Sequence, residues 1–246
     1  MKLRHKYSQD CSDCPIRYRA ICSHCEVSEL ERLESMKFYR VYERGQTIMW
    51  TGDKMEFVGS VVSGIATLSQ TMEDGRRQMV GLLLPSDFVG RPGRENIGFD
   101  VVATTDLVLC CFWKKPFEDM MAETPHILQR LLEMSLDELD AAREWMLVLG
   151  RKTAREKIAS LMLVLAQRKS ALTLTTDARD IAFELPLTRE AMADYLGLTL
   201  ETVSRQISSL RKDSVIFMNS KRSITVPDMG RLFEEAGNRC ETEFMN

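Results

Sequence analysis

The sequence predicts an α+β fold: an N-terminal β-roll of jelly-roll-like form, one long helix, and a C-terminal winged helix-turn-helix. Three observations carry this. Residues 38–118 hold short β-rich runs broken by turn signals. Residues 128–149 place apolar or small side chains at alternating spacings of 4 and 3. Residues 187–226 read as two capped helices followed by a hairpin. The boundaries drawn from these are 1–27 for a cysteine-rich segment, 28–121 for the β-roll, 122–150 for the long helix and 151–246 for the winged domain.

The first segment contains "CSDCPIRYRAICSHC", with four of the seven cysteines as two C-x-x-C pairs seven residues apart. No apolar run approaches the roughly 18 residues of a membrane helix, and no apolar stretch of signal-peptide type follows the basic start. The expected address is the cytoplasm, where thiols stay reduced. A disulfide staple is therefore disfavoured, and metal or redox chemistry is favoured. A sulfur-only donor set suits zinc or an iron–sulfur cluster, so the chemistry alone leaves both open.

After the cysteines, Ser28 to Glu31 reads as a capping box that opens a short helix with Leu30 and Leu33 inward. The β-rich runs then follow: "TIMW", "FVGSVVSG", "ATLSQTM", "RQMVGLLL", "VVATT" and "LVLCCFW", with Asp74-Gly75 at a hairpin turn. Strands at spacings of about 8–12 residues imply a barrel or jelly roll.

Thr124 and Pro125 open the long helix. Leu128, Leu132, Ser135, Leu139, Ala142, Met146 and Leu149 form a narrow heptad seam, as expected of a helix that pairs with its twin in a homodimer. The plainer alternative is a helix lying on its own β-domain. Gly150 ends the seam, and Thr153 to Glu156 restarts a helix over 154–169, which predicts a hinge near 150–152. Residues 170–186 carry no clear pattern.

In "LTREAMADYLGLTLETVSRQISSLRKD", Thr188 caps a first helix, Gly197 makes the turn and Thr199 caps a second. Leu200, Val203, Ile207 and Leu210 form its inward stripe. Glu201, Ser204 and Arg205 share a polar face in its first turns, the part of a recognition helix that meets base edges. Arg205 can donate twice to guanine, Glu201 can accept from cytosine N4, and Ser204 can meet either a base edge or a thymine methyl. The plain alternative is an i, i+4 surface ion pair between Glu201 and Arg205. The hairpin "VIFMNSKRSITV" is a wing whose tip brings Lys221 and Arg222 near phosphate. Charge supports this reading. Residues 151–226 hold 13 Lys/Arg against 8 Asp/Glu, whereas residues 1–150 hold 18 against 23. Double-stranded DNA is the partner these features imply.

A β-roll, a long helix and a winged helix-turn-helix in that order resemble the CRP/FNR superfamily, the cyclic-AMP receptor and fumarate-nitrate-reduction regulators. The segment "LTLETVSR" looks like the FNR branch. "MEDGRRQMVGLLLPSDFVGRPGRE" and "LTREAMADYLGLTLETVSRQ" look especially like its alphaproteobacterial FnrL group. The resemblance implies an oxygen-responsive regulator that binds TTGAT-type palindromes as a homodimer and recruits RNA polymerase. It implies Glu201, Ser204 and Arg205 as base-reading residues. It also implies a [4Fe–4S] cluster held by three N-terminal cysteines and one from the β-roll, which here are Cys11, Cys14, Cys22 and Cys110.

The chain departs from the family in three places. The familiar spacing is C-x2-C-x5-C, and this chain has C-x2-C-x7-C-x2-C, so Cys25 competes with Cys22 and Cys111 with Cys110. Adjacent strand residues face opposite sides, so only one of Cys110 and Cys111 can face the N-terminal segment. Ala142 stands where the FNR type has an acid on the seam, which predicts easier dimerisation of the cluster-free chain. The nucleotide-binding branch uses a Gly-Glu-Leu segment, and "PSDFVGRPGRE" has Arg91 and Arg94 without it, so no cyclic nucleotide is expected. The alternative function is a CRP-type regulator that senses a small molecule or thiol redox state. Cys240, in the acidic tail, is expected to be unrelated to the site, and no nucleophile–His–acid set suggests an enzyme.

Overall fold

The computed structural model describes residues 10–173, 179–220 and 222–238. The chain divides into two compact units between Asp140 and Ala141.

In the first unit, a short 3-10 turn (Cys11–Asp13) and irregular chain lead into α1 (Val27–Met36). The α1 capping box is Glu26 with Glu29, two residues before the Ser28–Glu31 box expected from sequence. Glu26 can fill the role of serine because its carboxylate accepts from the Glu29 backbone N–H while Glu29 accepts from the Glu26 N–H. Leu33 is fully buried below it.

Eight strands follow: β1 (Phe38–Tyr42), β2 (Thr47–Met49), β3 (Phe57–Ser63), β4 (Ala66–Thr71), β5 (Arg77–Leu83), β6 (Phe88–Val89), β7 (Asp100–Ala103) and β8 (Leu107–Trp113). Every β-rich run named above contains a strand. β1 and the two-residue β6 went unread because neither has clean alternation. The strands form two antiparallel sheets of order β1-β8-β3-β6 and β2-β7-β4-β5, the two-sheet roll expected. Val58, Val61, Leu107, Leu109, Phe112 and Phe117 lie in one apolar core.

After α2 (Lys114–Glu123), the long helix α3 spans Pro125–Arg151. One of its faces belongs to the core, with Ile127 buried and Leu131 and Met134 packed against it. The seam is a different face. Leu128, Leu132, Ser135, Leu139, Ala142, Met146 and Leu149 are all exposed, and Leu136 and Leu147 widen the apolar surface. The helix therefore rests on its own domain without using the seam. Gly150 does not end α3; the break comes at Lys152–Thr153, where Thr153 and Glu156 form the expected box.

In the second unit, α4 runs Ala154–Thr173, longer than expected. The unpatterned stretch contains β9 (Arg179–Glu184). Its partner β11 (Ser223–Asp228) lies some forty residues on, so no local signal announces it. β10 (Phe217–Met218), β11 and β9 make a three-stranded sheet, and α7 (Met229–Glu235) follows. Helices α5 (Arg189–Leu196) and α6 (Leu200–Lys212) form the helix-turn-helix.

Candidate functional site

The chain offers two sites, each within one unit. The first is in the β-roll. β8 is flanked by β1 and β3, with Cys110 opposite Tyr39 on one side and Ser60 on the other. Cys11, Cys14, Cys22, Tyr39, Ser60 and Cys110 line a single cavity, closed by Ile16, Ala20, Ile21, Leu33 and Phe112. The four thiols expected from the resemblance thus share one cavity. Cys25 and Cys111 are buried but do not line it, and Cys111 faces the core. Cys240 lies outside the described residues.

Several contacts hold this arrangement. The Arg17 guanidinium donates to the carbonyl oxygens of Cys22 and of Cys25, the latter at 3.1 Å. Lys37 Nζ stands 3.3 Å from Cys11 Sγ and 3.0 Å from Glu34 Oε1, and the same carboxylate accepts from the Cys11 backbone N–H. Gly59 lets β3 approach β8, since a Cβ there would stand 2.6 Å from the Cys110 carbonyl oxygen. Burial pushes the Cys22 thiol up to about 11 and the Cys110 thiol well above its ordinary range. Both are therefore neutral thiols at pH 7 until a metal displaces the proton.

The void between the thiols is about 20 Å³, the room of one water. Among the described residues, no three His, Cys, Asp or Glu side chains are arranged to hold a single metal ion. Ligands to one zinc must converge on a point, whereas ligands to four irons of a cluster need not. A cluster core exceeds this void, so the thiols would have to part around it. Cys14 and Cys22 sit in irregular chain, while Cys110 lies in a central strand. Ser60 is 2 % exposed, and among the described residues its Oγ has no hydrogen-bond partner. An unpaired buried hydroxyl costs about 1–3 kcal/mol, and this one borders the cavity the thiols share.

The cysteine segment is also tied to the start of α3. Arg130 Nη2 donates to the Arg19 carbonyl at 2.8 Å, and its Nη1 pairs with Glu133 at 3.1 Å. His24 Nδ1 lies 3.7 Å from Glu133. His126 Nδ1 is 2.9 Å from the Glu29 carboxylate on α1, and this contact raises the imidazole pKa. Lys37, Ser60, Arg130 and His126 were not singled out from sequence, because their roles depend on cross-strand register and helix docking.

The second site is α6. Thr188 caps α5 by accepting from Ala191 N–H, and Gly197 closes it in the left-handed region at φ 62°. Thr199 caps α6 by accepting from Thr202 N–H, worth about 1 kcal/mol. Val203, Ile207 and Leu210 are buried as expected. Leu200 is 46 % exposed, a correction to the inward stripe: it is the first residue of α6 and lies outside the core that Val203 enters. Glu201, Ser204 and Arg205 are all exposed on one face. Among the described residues Glu201 and Arg205 form no ion pair, so both remain free for a ligand. Behind the helix, Arg155 pairs with Glu235 at 2.6 Å and Asp213 at 2.8 Å and donates to Ser209 Oγ at 2.8 Å, which locks the end of α6 to α4 and α7. At the wing, Ser220 Oγ accepts from the Arg222 and Ser223 N–H groups, which shapes the tip beside Arg222. Lys221 lies outside the described residues. No described helix is long and apolar enough to cross a membrane.

Residues 156–235 match the Crp-like helix-turn-helix domain, and residues 39–124 match the cyclic nucleotide-binding domain. The chain is 67 % identical over 228 residues to the transcriptional activator protein FnrL of Cereibacter sphaeroides, covering 93 % of this chain and 92 % of that protein. It is 38 % identical over 208 residues to the nitrogen fixation regulation protein FixK of Bradyrhizobium diazoefficiens, covering 84 % and 85 %. Among solved structures, FixK2 from Bradyrhizobium japonicum matches with a TM-score of 0.72 at 28 % identity, over 84 % of this chain and 99 % of that one.

Proposed function

The chain belongs to the CRP/FNR superfamily of transcription regulators, and from that premise we propose an oxygen-responsive activator that binds palindromic TTGAT-type sites as a homodimer when it holds a [4Fe–4S] cluster. It is a DNA-binding transcription activator of FNR/FixK type. The observation that carries the oxygen-responsive, cluster-holding reading is the cavity lined by Cys11, Cys14, Cys22 and Cys110. Four thiols on two distant parts of the chain supply one ligand per iron.

When bound, the group supplies oxygen-labile iron–sulfur bonds that join the N-terminal segment to β8. The chain's own residues carry the rest. Arg130, gripping the Arg19 carbonyl, and His126, gripping Glu29, relate the cysteine segment and α1 to the first turns of α3. The exposed seam from Leu128 to Leu149 is the face that pairs with a second copy. Pairing places two α6 helices about one DNA turn apart. Arg205, Glu201 and Ser204 read base edges, while Arg222 and Lys221 meet phosphate. Holding the thiols can shift the monomer–dimer equilibrium only by the difference in affinity for the two states. RNA polymerase is taken as the partner of the DNA-bound dimer. No cyclic nucleotide is taken as a ligand: at Gly93 the backbone N–H already donates to the Glu118 carboxylate at 2.7 Å, which would repel a phosphate.

Anaerobic purification with iron and sulfide analysis tests the reading. Roughly four of each per chain are expected, with a brown colour that bleaches in air as operator binding falls. Colourless protein, or binding indifferent to air, overturns it.

A further inference from the structure

We propose that the Ser60 hydroxyl donates a hydrogen bond to sulfur at the cysteine cavity, either of the bound group or of Cys110, and thereby raises the reduction potential of that group. The inference rests on the reading that Cys11, Cys14, Cys22 and Cys110 hold an iron–sulfur group, and it assigns the cavity a polar residue beyond the thiols.

Ser60 is the cross-strand partner of Cys110 on β3, and both line the cavity. Its Oγ is buried without a partner among the described residues, although buried hydroxyls are almost always paired. The cavity wall around it is otherwise largely apolar: Ile16, Ala20, Ile21, Leu33 and Phe112. A serine that served only to pack would be replaced at no cost by alanine, whereas here a donor faces the one place where electron-rich sulfur collects. A hydrogen bond to cluster sulfur favours the more negatively charged state, which moves the potential upward.

The test uses the full chain, wild type and Ser60→Ala, each loaded anaerobically with iron and sulfide. Redox titration followed by visible absorbance should show a lower midpoint for Ser60→Ala. Ser60→Thr, which keeps the hydroxyl, should retain the wild-type midpoint. Melted without the group, Ser60→Ala should be at least as stable as wild type, since it loses an unpaired hydroxyl and no contact. Equal midpoints for wild type and Ser60→Ala, both loaded, overturn the role of Ser60 and leave the ligand reading standing. A wild type that takes up no iron overturns that reading and this inference with it.

Discussion

At α6, the groups proposed to read DNA come from five consecutive residues, Glu201 to Arg205, set by one capped helix. At the cysteine cavity they come from positions 11 to 22 and from position 110, joined only by the fold. The first site is preformed. Its side chains are exposed, free of mutual pairing, and held from behind by Arg155 with Glu235 and Asp213. The second is a set of four thiols lining a water-sized cavity beside a hydroxyl that has no partner among the described residues. A preformed site spends its binding energy on recognition. A site completed by its ligand would spend it on conformation, as the proposed sensing role requires.

The difference is sharpest at adjacent residues 110 and 111. Cys110→Ser should abolish iron uptake on anaerobic reconstitution. Cys111→Ser should take up iron at the wild-type stoichiometry and instead lose about 1–3 kcal/mol of folding stability in urea, because it buries a hydroxyl in the core. Loss of iron in both, or in neither, would break the distinction drawn between the two faces of β8.

At the preformed site the losses should be graded. Arg205→Ala should weaken operator binding by about 1–3 kcal/mol and relax preference at one base pair per half-site, read by fluorescence anisotropy on a set of substituted operators. Iron content should not change. An Arg205→Ala protein that discriminates among operators as well as wild type would remove Arg205 from base reading.

The smallest effect concerns the contact between α1 and α3. His126 has a pKa raised chiefly by its hydrogen bond to Glu29, with Glu26 adding attraction. Its contribution is fully present below the unfolded histidine value of about 6.5 and is lost as pH rises through the raised folded value. Glu29, held low by His126 against the opposing effect of burial, sets the acid limit. Melting of wild type and His126→Gln should therefore differ at about pH 5.5 and converge in mildly alkaline buffer. A difference independent of pH would mean that His126 acts through packing rather than charge.

The helix-turn-helix was legible in sequence because its signals are local: Thr188 and Gly197 mark the ends of α5 and Thr199 the start of α6, all within a dozen residues. The seam was legible for the same reason, though not that Leu131 and Met134 on the same helix would serve the core. The cavity was legible only as a list of cysteines. Register between β1, β8 and β3 decides that Cys110, Tyr39 and Ser60 stand together, and register is a tertiary fact. The same holds for β9, whose partner lies across the helix-turn-helix, and for Leu200, whose exposure depends on where the core stops.

Gly59 carries a further consequence. β8 is buried on both faces from Leu107 to Phe112, Cys110 alone being only partly so, so its own polarity pattern hardly distinguishes one alignment from the next. The neighbouring strand supplies the missing instruction: Gly59 fits against the carbonyl of Cys110, and Gly64 against that of Asp106, where a Cβ would stand 2.2 Å away. Two residues without side chains thus choose which of two adjacent sulfurs faces the cavity. An error in that alignment would be masked chemically, because the slipped strand would still present a thiol.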